Sequence, residues 1–378
     1  MDKLNDISVR EVSGSKDMDA FIAFPYRLYS GNKFYVPKLR FDEKNTLNRK
    51  RNPAFEYCEA RYWLAIKNKS VVGRIAAIVN HSYISKWGKQ YMRFGWIDFE
   101  EDLNIAAALL QVVEQWAKEK KMEAVHGPMG FTDLDFEGML VEGFDQLGTL
   151  ATIYNYPYYP EFMHQLGYGK EIDWLEYKIE VPEALPERIE KIAGAIRERL
   201  GLQVVRARNA KQLLPYAPQI FKLINEAYSH LHGVVELSGK QIDYYTKQYF
   251  SFIRTDFVTL VADKKGELAA FGITMPSLSH ALQKCKGSLL PFGFVHLLKS
   301  LRKNTLADLY LVAVRNDMQS KGVNAMLITE VAKAYIKAGV RFAESNPELE
   351  TNTQIQSFWK HFNAVNHKRR RCFIKPIA

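Results

Sequence analysis

Residues 309–339 carry the spacing most able to do chemistry in this chain, because they would build a binding point for a phosphate out of the backbone itself. A short apolar run, Leu309-Tyr310-Leu311-Val312-Ala313-Val314, leads into the turn Arg315-Asn316-Asp317-Met318-Gln319-Ser320-Lys321-Gly322. From Val323 onward, apolar residues at 323, 327, 331, 334, 335 and 338 repeat at helical spacing, and Gly339 closes the helix. A strand, a turn and a helix in this order aim unpaired N–H groups and the positive end of a helix dipole at one point. An anion placed there is stabilised. Gly322 would let it approach the main chain, and Lys321 adds a mobile positive charge. The plainer alternative is an ordinary strand-turn-helix corner.

Composition narrows the setting. The chain has 378 residues, 47% of them hydrophobic and 25% charged, which is enough for sizeable cores and suggests two domains. The opening Met1-Asp2-Lys3-Leu4-Asn5-Asp6 lacks the basic and apolar blocks of a signal peptide. No apolar run approaches the roughly 20 residues that span a bilayer. Cys58, Cys285 and Cys372 are scattered and odd in number, so a reduced, cytoplasmic protein is expected. The nine histidines include no His-Glu-x-x-His, and His230-x-His232 alone is weak, so no metal is expected. Fifty-two basic and 42 acidic residues leave a net charge of +10, which favours an anionic partner: CoA phosphates, nucleic acid or anionic lipid.

Stepping along the chain, one layout occurs twice. In the second half, strand Leu202–Ala207, helix Gln212–Tyr228 and a helix around Lys240–Ile253 precede strands Phe257–Ala262 and Leu268–Met275, joined at Lys265-Gly266. The loop-bearing strand and its helix follow, then strand Val340–Ser345. A last helix has Ile355, Phe358, Trp359 and Phe362 on one face, and Cys372–Ile377 is a closing strand. In the first half, strand Ile7–Val12 and helix Asp17–Tyr29 precede a hairpin of Tyr62–Lys67 and Val71–Val79. Strand Met92–Phe99 follows, then a helix with Ile105, Leu109, Val112, Val113 and Trp116 on one face, and strand Glu123–His126. Helix Tyr159–Leu166, ending in Gly167-Tyr168, and strand Ile172–Glu180 complete the half. Where the second half has its anion point, the first has Glu100-Glu101-Asp102. Carboxylates there satisfy the helix terminus themselves, and a like charge near 4 Å costs about 4 kcal/mol at intermediate dielectric.

The order strand, Gln319-x-x-Gly322-x-Asn324, helix resembles the acyl-CoA pyrophosphate loop of the GNAT superfamily, whose pattern is Gln or Arg, two residues, Gly, one residue, then Gly or Ala. Gln319 and Gly322 fit; Asn324 departs, although Ala325 follows it. The element order of the second half is similar to a GNAT domain, and the first half resembles one more distantly. The resemblance implies a mixed α/β (α+β) fold of two GNAT-like domains in tandem, each a mostly antiparallel splayed sheet flanked by helices. Residues 1–181 would be a degenerate domain without a CoA loop, 182–186 a linker, and 187–378 the acyl-CoA-binding domain.

The same resemblance implies an acyl-CoA-dependent N-acyltransferase. Val312, Ala313, Val314, Gln319, Ser320, Lys321, Gly322, Val323, Asn324 and Ala325 would hold acyl-CoA. Asn352 would reach the pantetheine or simply cap a helix. Asp308, eleven residues before Gln319, stands at the offset of the general base in histone-type members; a solvated carboxylate is the alternative. Glu344 is the second candidate, or one half of an ion pair. The family's acid, a Tyr seven residues after an Asn, is replaced by Trp359, and His361 would face away from it, so no proton donor is inherited.

Pointers to the acceptor are compositional. The aromatic run Tyr154-Asn155-Tyr156-Pro157-Tyr158-Tyr159 suits an amphipathic acceptor or packing between the halves. The inserted segment 276–305 holds Leu289-Leu290-Pro291-Phe292-Gly293-Phe294-Val295 among Lys284, Lys286, Lys299, Arg302 and Lys303. It reads as an interfacial membrane segment, an acyl tunnel or an extra capping helix. His367-Lys368-Arg369-Arg370-Arg371 reads as a solvated basic face or a phosphate contact. Together they point to a long-chain acyl group or a lipid-like amine, a description that GNAT-type bacterial ceramide synthases would fit, acting in the cytoplasm or at the inner face of an anionic membrane. The rivals are a Fem-type aminoacyl-tRNA-dependent transferase and a non-catalytic acyl-CoA- or nucleic-acid-binding protein on a GNAT scaffold; nucleic acid is the less expected partner.

Overall fold

The apolar stretch from Cys58 to Asn80 turns back on itself at Asn68 and Lys69, which take φ of 50° and 63°. Two successive positive φ values match the twist of a two-residue hairpin. In the computed structural model, which describes residues 6–250 and 253–377, this hairpin seeds the first of two compact units. Met1–Asn5 and the end of the helix expected at 240–253 (residues 251–252) fall outside the described residues, as does the Phe358 side chain.

Unit 1 comprises Met1–Leu175, Ser279–Phe294 and His367–Ala378. Its sheet runs β1 (Ile7–Glu11), β2 (Cys58–Lys67), β3 (Ser70–Asn80), β4 (Tyr91–Phe99), β5 (Ala124–Gly127) and the last strand of the chain, Ala364–Pro376. The pair β4–β5 is parallel; the other ladders are antiparallel. Side-chain alternation sorts β3 between two cores. Ile75, Ala77 and Val79 pack with Ile105, Leu109, Val113 and Trp116 of helix Leu103–Glu119. Ala76 and Ile78 pack with Phe21 and Ile22 of helix Gly14–Leu28. β6 (Met139–Glu142) pairs with the last strand, and β7 (Gly169–Glu180) carries the chain into unit 2. The 181/187 division expected from composition differs from this partition, which gives residues 279–294 and 367–378 to unit 1.

Unit 2 comprises Glu176–Leu278 and Val295–Asn366. Its order is β8 (Gln203–Val205), β9 (Val258–Ala262), β10 (Leu268–Pro276), β11 (Leu306–Val314), β12 (Phe342–Ser345) and the end of β7; β13 (Glu348–Leu349) is a short outlier. Here β11–β12 is the parallel pair, and helix Val323–Ala338 joins its strands. Hairpin, strand, helix and parallel strand thus repeat in both units. So does a one-residue irregularity: an extra residue bulges from β4 around Trp96 (φ 45°) and from β11 at Tyr310. A bulge bends its strand and parts it from its neighbour.

Several expectations need correction. Helix 212–228 is interrupted, with Ala210–Leu213, a 3-10 turn Leu214–Tyr216 and Ala217–Tyr228 in succession. Pro215 and Pro218 lack the N–H that a continuous helix needs and sit instead in first turns. Helix Arg40–Thr46 had no strong apolar period to announce it. The aromatic run 154–159 packs inside unit 1: Tyr154 and Tyr156 lie against Tyr29, and Tyr159 stacks on Phe99 at 4.0 Å.

The largest correction concerns the basic run 367–371, which is neither a solvated face nor a phosphate contact. The last strand begins at Ala364, not Cys372. Lys368 and Arg370 are each 1% exposed and donate to the carbonyls of Leu147 (3.1 Å) and Ile153. Arg369 and Arg371 converge on Asp173 (3.3 and 2.8 Å). Burial opposes the Asp173 charge, yet Arg371 and Lys170 hold its carboxyl below the usual range. Buried charges need such partners, and strand alternation supplies them here.

Candidate functional site

In unit 2 the ladder between β11 and β12 covers Leu306 to Leu309 against Phe342 to Ser345 and stops at the bulge. Beyond it, Asn346 donates from its amide to the Leu309 carbonyl (3.1 Å) and from Nδ2 to the Tyr310 carbonyl (2.8 Å), closing the end of the ladder. The outer half of β11 therefore has β10 on one side and an opening on the other. Parity shows which amides face it. Arg315 N–H bonds the Ala269 carbonyl at 2.9 Å, so residues 315, 313 and 311 turn toward β10, while Val312 and Val314 turn away. The Val312 and Val314 carbonyls confirm this, accepting from the Tyr228 hydroxyl (2.9 Å) and from Gln319 Nε2 (3.2 Å).

The turn that follows is braced from within. Arg315 pairs with Asp317 (2.6 Å) and Asp263 (2.9 Å), and these two carboxylates raise its already high pKa. Gln319 Nε2 also donates to Asn316 Oδ1 (3.1 Å). Gln319, Ser320 and Lys321 are exposed, and Ser320 has φ 57°. Gly322, at φ 87°, is the helix N-cap without a side chain to act as one. A Cβ there would come 2.7 Å from Ile196 of helix Glu187–Leu200, so backbone conformation and packing both require glycine. Met326 N–H reaches the Gly322 carbonyl at 3.1 Å. Among the described residues, the amides of Val323, Asn324 and Ala325 before it have no hydrogen bond. Val323 is buried, Asn324 exposed and Ala325 half-buried. Free amides at the start of a 16-residue helix, with no acid in its first turn, form an anion point.

Unit 1 differs at the equivalent corner. Asp102 accepts from Asn104 N–H (2.9 Å) and from Lys67 Nζ (2.8 Å), and Arg27 holds Glu100 at 3.2 Å. Asp102, more than Glu101, occupies the helix start. Against the Trp96 bulge lies a cavity of about 40 Å³ lined by Tyr26, Tyr29, Tyr35, Lys38, Glu43 and Asp98, among others. Asp98 is salt-bridged to Arg74 at 2.7 Å and accepts from Tyr29 at 2.8 Å. Burial pushes the Lys38 ammonium, 3.0 Å from the Phe136 ring centre, down to about 8.

The carboxylates expected to act sit side by side in unit 2: Asp308 and Glu344 are register partners across the β11–β12 ladder. Asp308 is 2% exposed and accepts from the Tyr310 hydroxyl at 3.1 Å, so it is not the solvated group of the alternative reading. Burial, then the Asp308 charge, raises the Tyr310 phenol well above its normal value. Asn352 precedes helix Thr353–Trp359, and its Oδ1 lies 3.4 Å from Ile355 N, the helix-cap role.

Two residues were missed by sequence reasoning. Tyr228 reaches the Val312 carbonyl, and burial raises its phenol to about 12, so it keeps its proton. Glu348 accepts the Trp359 indole N–H at 2.9 and 3.0 Å, and burial pushes its carboxyl up to about 8. No local pattern marks either. Glu348 yields a prediction about stability. An unfolded Glu releases its proton near pH 4.3, while folded Glu348 keeps it to about 8. The unfolded state therefore gains relative stability as pH rises through that window. Melting temperature should fall more steeply from pH 5 to 8 in the wild type than in Glu348→Gln; parallel curves would refute the buried neutral acid.

No protein-family model matches the chain. Protein YghO of Escherichia coli (strain K12) is 27% identical over 376 residues, covering 98% of this chain and 95% of that protein. A bacterial ceramide synthase of Caulobacter vibrioides is 24% identical over 382 residues, covering 98% of each. Among solved structures, a tandem GNAT protein from the clavulanic acid biosynthesis pathway superposes with a TM-score of 0.56, at 12% identity, over 99% of both chains. At that identity the likeness is one of fold.

Proposed function

Because this chain has a tandem GNAT fold, we propose that it is an acyl-CoA-dependent N-acyltransferase whose donor site lies in unit 2. The observation that carries the reading is the run of free amides at Val323–Ala325, beside the outward-facing amides of Val312 and Val314 and uncapped by any acid. The pyrophosphate of acyl-CoA would lie on the helix amides, with Ser320, Lys321 and Gly322 around it and Ala313 behind in the sheet. Gln319 holds the turn in shape, and Asn352 fixes the last helix.

The pantetheine would run along the open edge of β11, bringing the thioester carbonyl to the Val312 amide. That N–H would polarise the carbonyl as charge develops on its oxygen. Asp308, through water, would take a proton from the acceptor ammonium; the free amine then attacks the carbonyl carbon, forming C–N as C–S breaks. The leaving thiolate would take the Tyr228 proton, which fills the gap left by Trp359. Glu344 would support the Asp308 charge state from the next strand.

For the acceptor we propose a lipid-like amine and for the donor a long acyl chain. Two things support this: the Caulobacter relative is named for making a ceramide, an N-acylated lipid amine, and the segment after β10 exposes large apolar side chains. An anionic membrane surface would be where such an acceptor is met. The test is a series of acyl-CoAs of rising chain length with pooled amine acceptors, following release of free thiol. Turnover rising with chain length, and only in the presence of amine, is expected. No thiol release from any member would sink the enzyme reading.

A further inference from the structure

The segment from Ser279 to Phe294 belongs to unit 1 and serves none of the roles above. Of the expected alternatives, a capping helix is ruled out: helix Gly293–Arg302 has no buried residue. Instead Leu290, Phe292 and Phe294 are 78%, 73% and 44% exposed, and Leu298, one turn beyond Phe294, is 49% exposed. Such values for large apolar side chains ask for an explanation when several cluster in one short stretch.

Looseness does not provide it. Arg40 N–H bonds the Gly287 carbonyl at 3.0 Å, and Gln283 Nε2 bonds the carbonyls of Lys33 (2.8 Å) and Tyr35 (3.0 Å). Cys285 Sγ–H donates to the Gly293 carbonyl (3.0 Å), and Phe294 N–H to that of Leu289 (2.9 Å). Gly287, at φ 78°, lies so close to the Tyr26 ring that a Cβ would approach it to 2.1 Å. The tip is thus held at its base by four backbone carbonyls and a glycine contact while its apolar side chains project. Phe41, next to Arg40, is 66% exposed as well.

Charge identifies the occupant. Residues 276–305 contain no Asp or Glu, and Lys284 and Lys286 are exposed beside the tip. Apolar side chains flanked by unopposed cations are what an anionic bilayer surface binds: the rings enter the acyl boundary and the ammonium groups stay with the phosphates. A protein partner fits less well, since a stable interface buries about 800 Å² on each side, more than a few projecting side chains provide. We infer that the tip Ser288–Phe294, with Lys284 and Lys286, is a docking surface for an anionic phospholipid bilayer. The wall behind it includes Tyr26 and the Lys38 main chain, both of which border the cavity in unit 1.

The test is co-sedimentation of the full chain with vesicles of phosphatidylcholine alone and of phosphatidylcholine with phosphatidylglycerol. Binding to the anionic vesicles, weakened by salt, is expected, and at least tenfold weaker binding in Leu290→Ser/Phe292→Ser and in Lys284→Glu/Lys286→Glu. Unchanged melting temperatures and acyl-CoA affinity in both variants would show that the donor site is untouched. No binding to either vesicle, equal binding to both, or variants that bind like wild type would overturn the inference. So would a wild-type dimer that the serine pair converts to a monomer, since the tip would then serve a second copy.

Discussion

Asn324→Glu is expected to weaken acyl-CoA binding about 10- to 100-fold while leaving the protein as stable as before, or slightly more so. Asn324 is exposed in the first turn of helix Val323–Ala338. A carboxylate in a first turn stabilises a helix by about 0.3–1 kcal/mol, because it meets the free amides and the dipole. The same charge would stand within a few ångströms of a bound pyrophosphate. Like charges 4 Å apart cost ~1 kcal/mol in water and ~4 kcal/mol at intermediate dielectric, and a half-open cradle lies between. Affinity and stability should therefore move independently. This variant is cleaner than Gly322→Glu, which would meet Ile196 and a positive φ before it met any ligand. Glu101→Gln in unit 1 is the control and should leave affinity unchanged. Isothermal titration with acyl-CoA and a thermal melt on each variant decide the matter. Equal losses in both would remove the reason for placing the donor in unit 2.

Asp308→Asn should lower kcat by about 10²–10⁴-fold, the range a positioned general base contributes, with acyl-CoA affinity close to wild type. Asparagine keeps the shape and can still meet the Tyr310 hydroxyl, which donates to Asp308 at 3.1 Å. It cannot accept a proton from the ammonium. Rates should be followed across pH with acyl-CoA and amine both saturating. If Asp308→Asn retains full kcat and Glu344→Gln loses it, the base is the neighbouring strand's carboxylate, one register position across. If both retain it, neither carboxylate is the base.

Much of the donor corner was legible because its signals are local. The apolar run 309–314, the period of the following helix and Gly339 each depend on neighbours a few residues away, and the structure has the strand, the helix and a left-handed Gly339 cap. The hairpin at Asn68-Lys69 was readable for the same reason. What failed depended on distant partners. Lys368 and Arg370 look solvated until Leu147 and Ile153 supply carbonyls from more than two hundred residues away. Tyr228 gains meaning only from the Val312 carbonyl, and Glu348 only from Trp359, the residue that removed the expected acid. Gly322 was noticed for ligand approach, whereas Ile196 and φ 87° already demand it. The Asn352 ambiguity came from a side chain that suits a cap as well as a ligand; its place before Thr353 favours the cap.

The final strand has a bearing on how the molecule comes to be. Unit 1 takes β5's antiparallel neighbour from residues 373–376, whereas unit 2 ends at residue 366. As the ribosome extends the chain, unit 2 can assemble while unit 1 still waits for its last strand. Until then the edge of β5 and the carbonyls of Leu147 and Ile153 stand open to solvent. Nascent chains stalled before residue 367 would thus present an unfinished sheet margin, the feature that chaperones and proteases recognise.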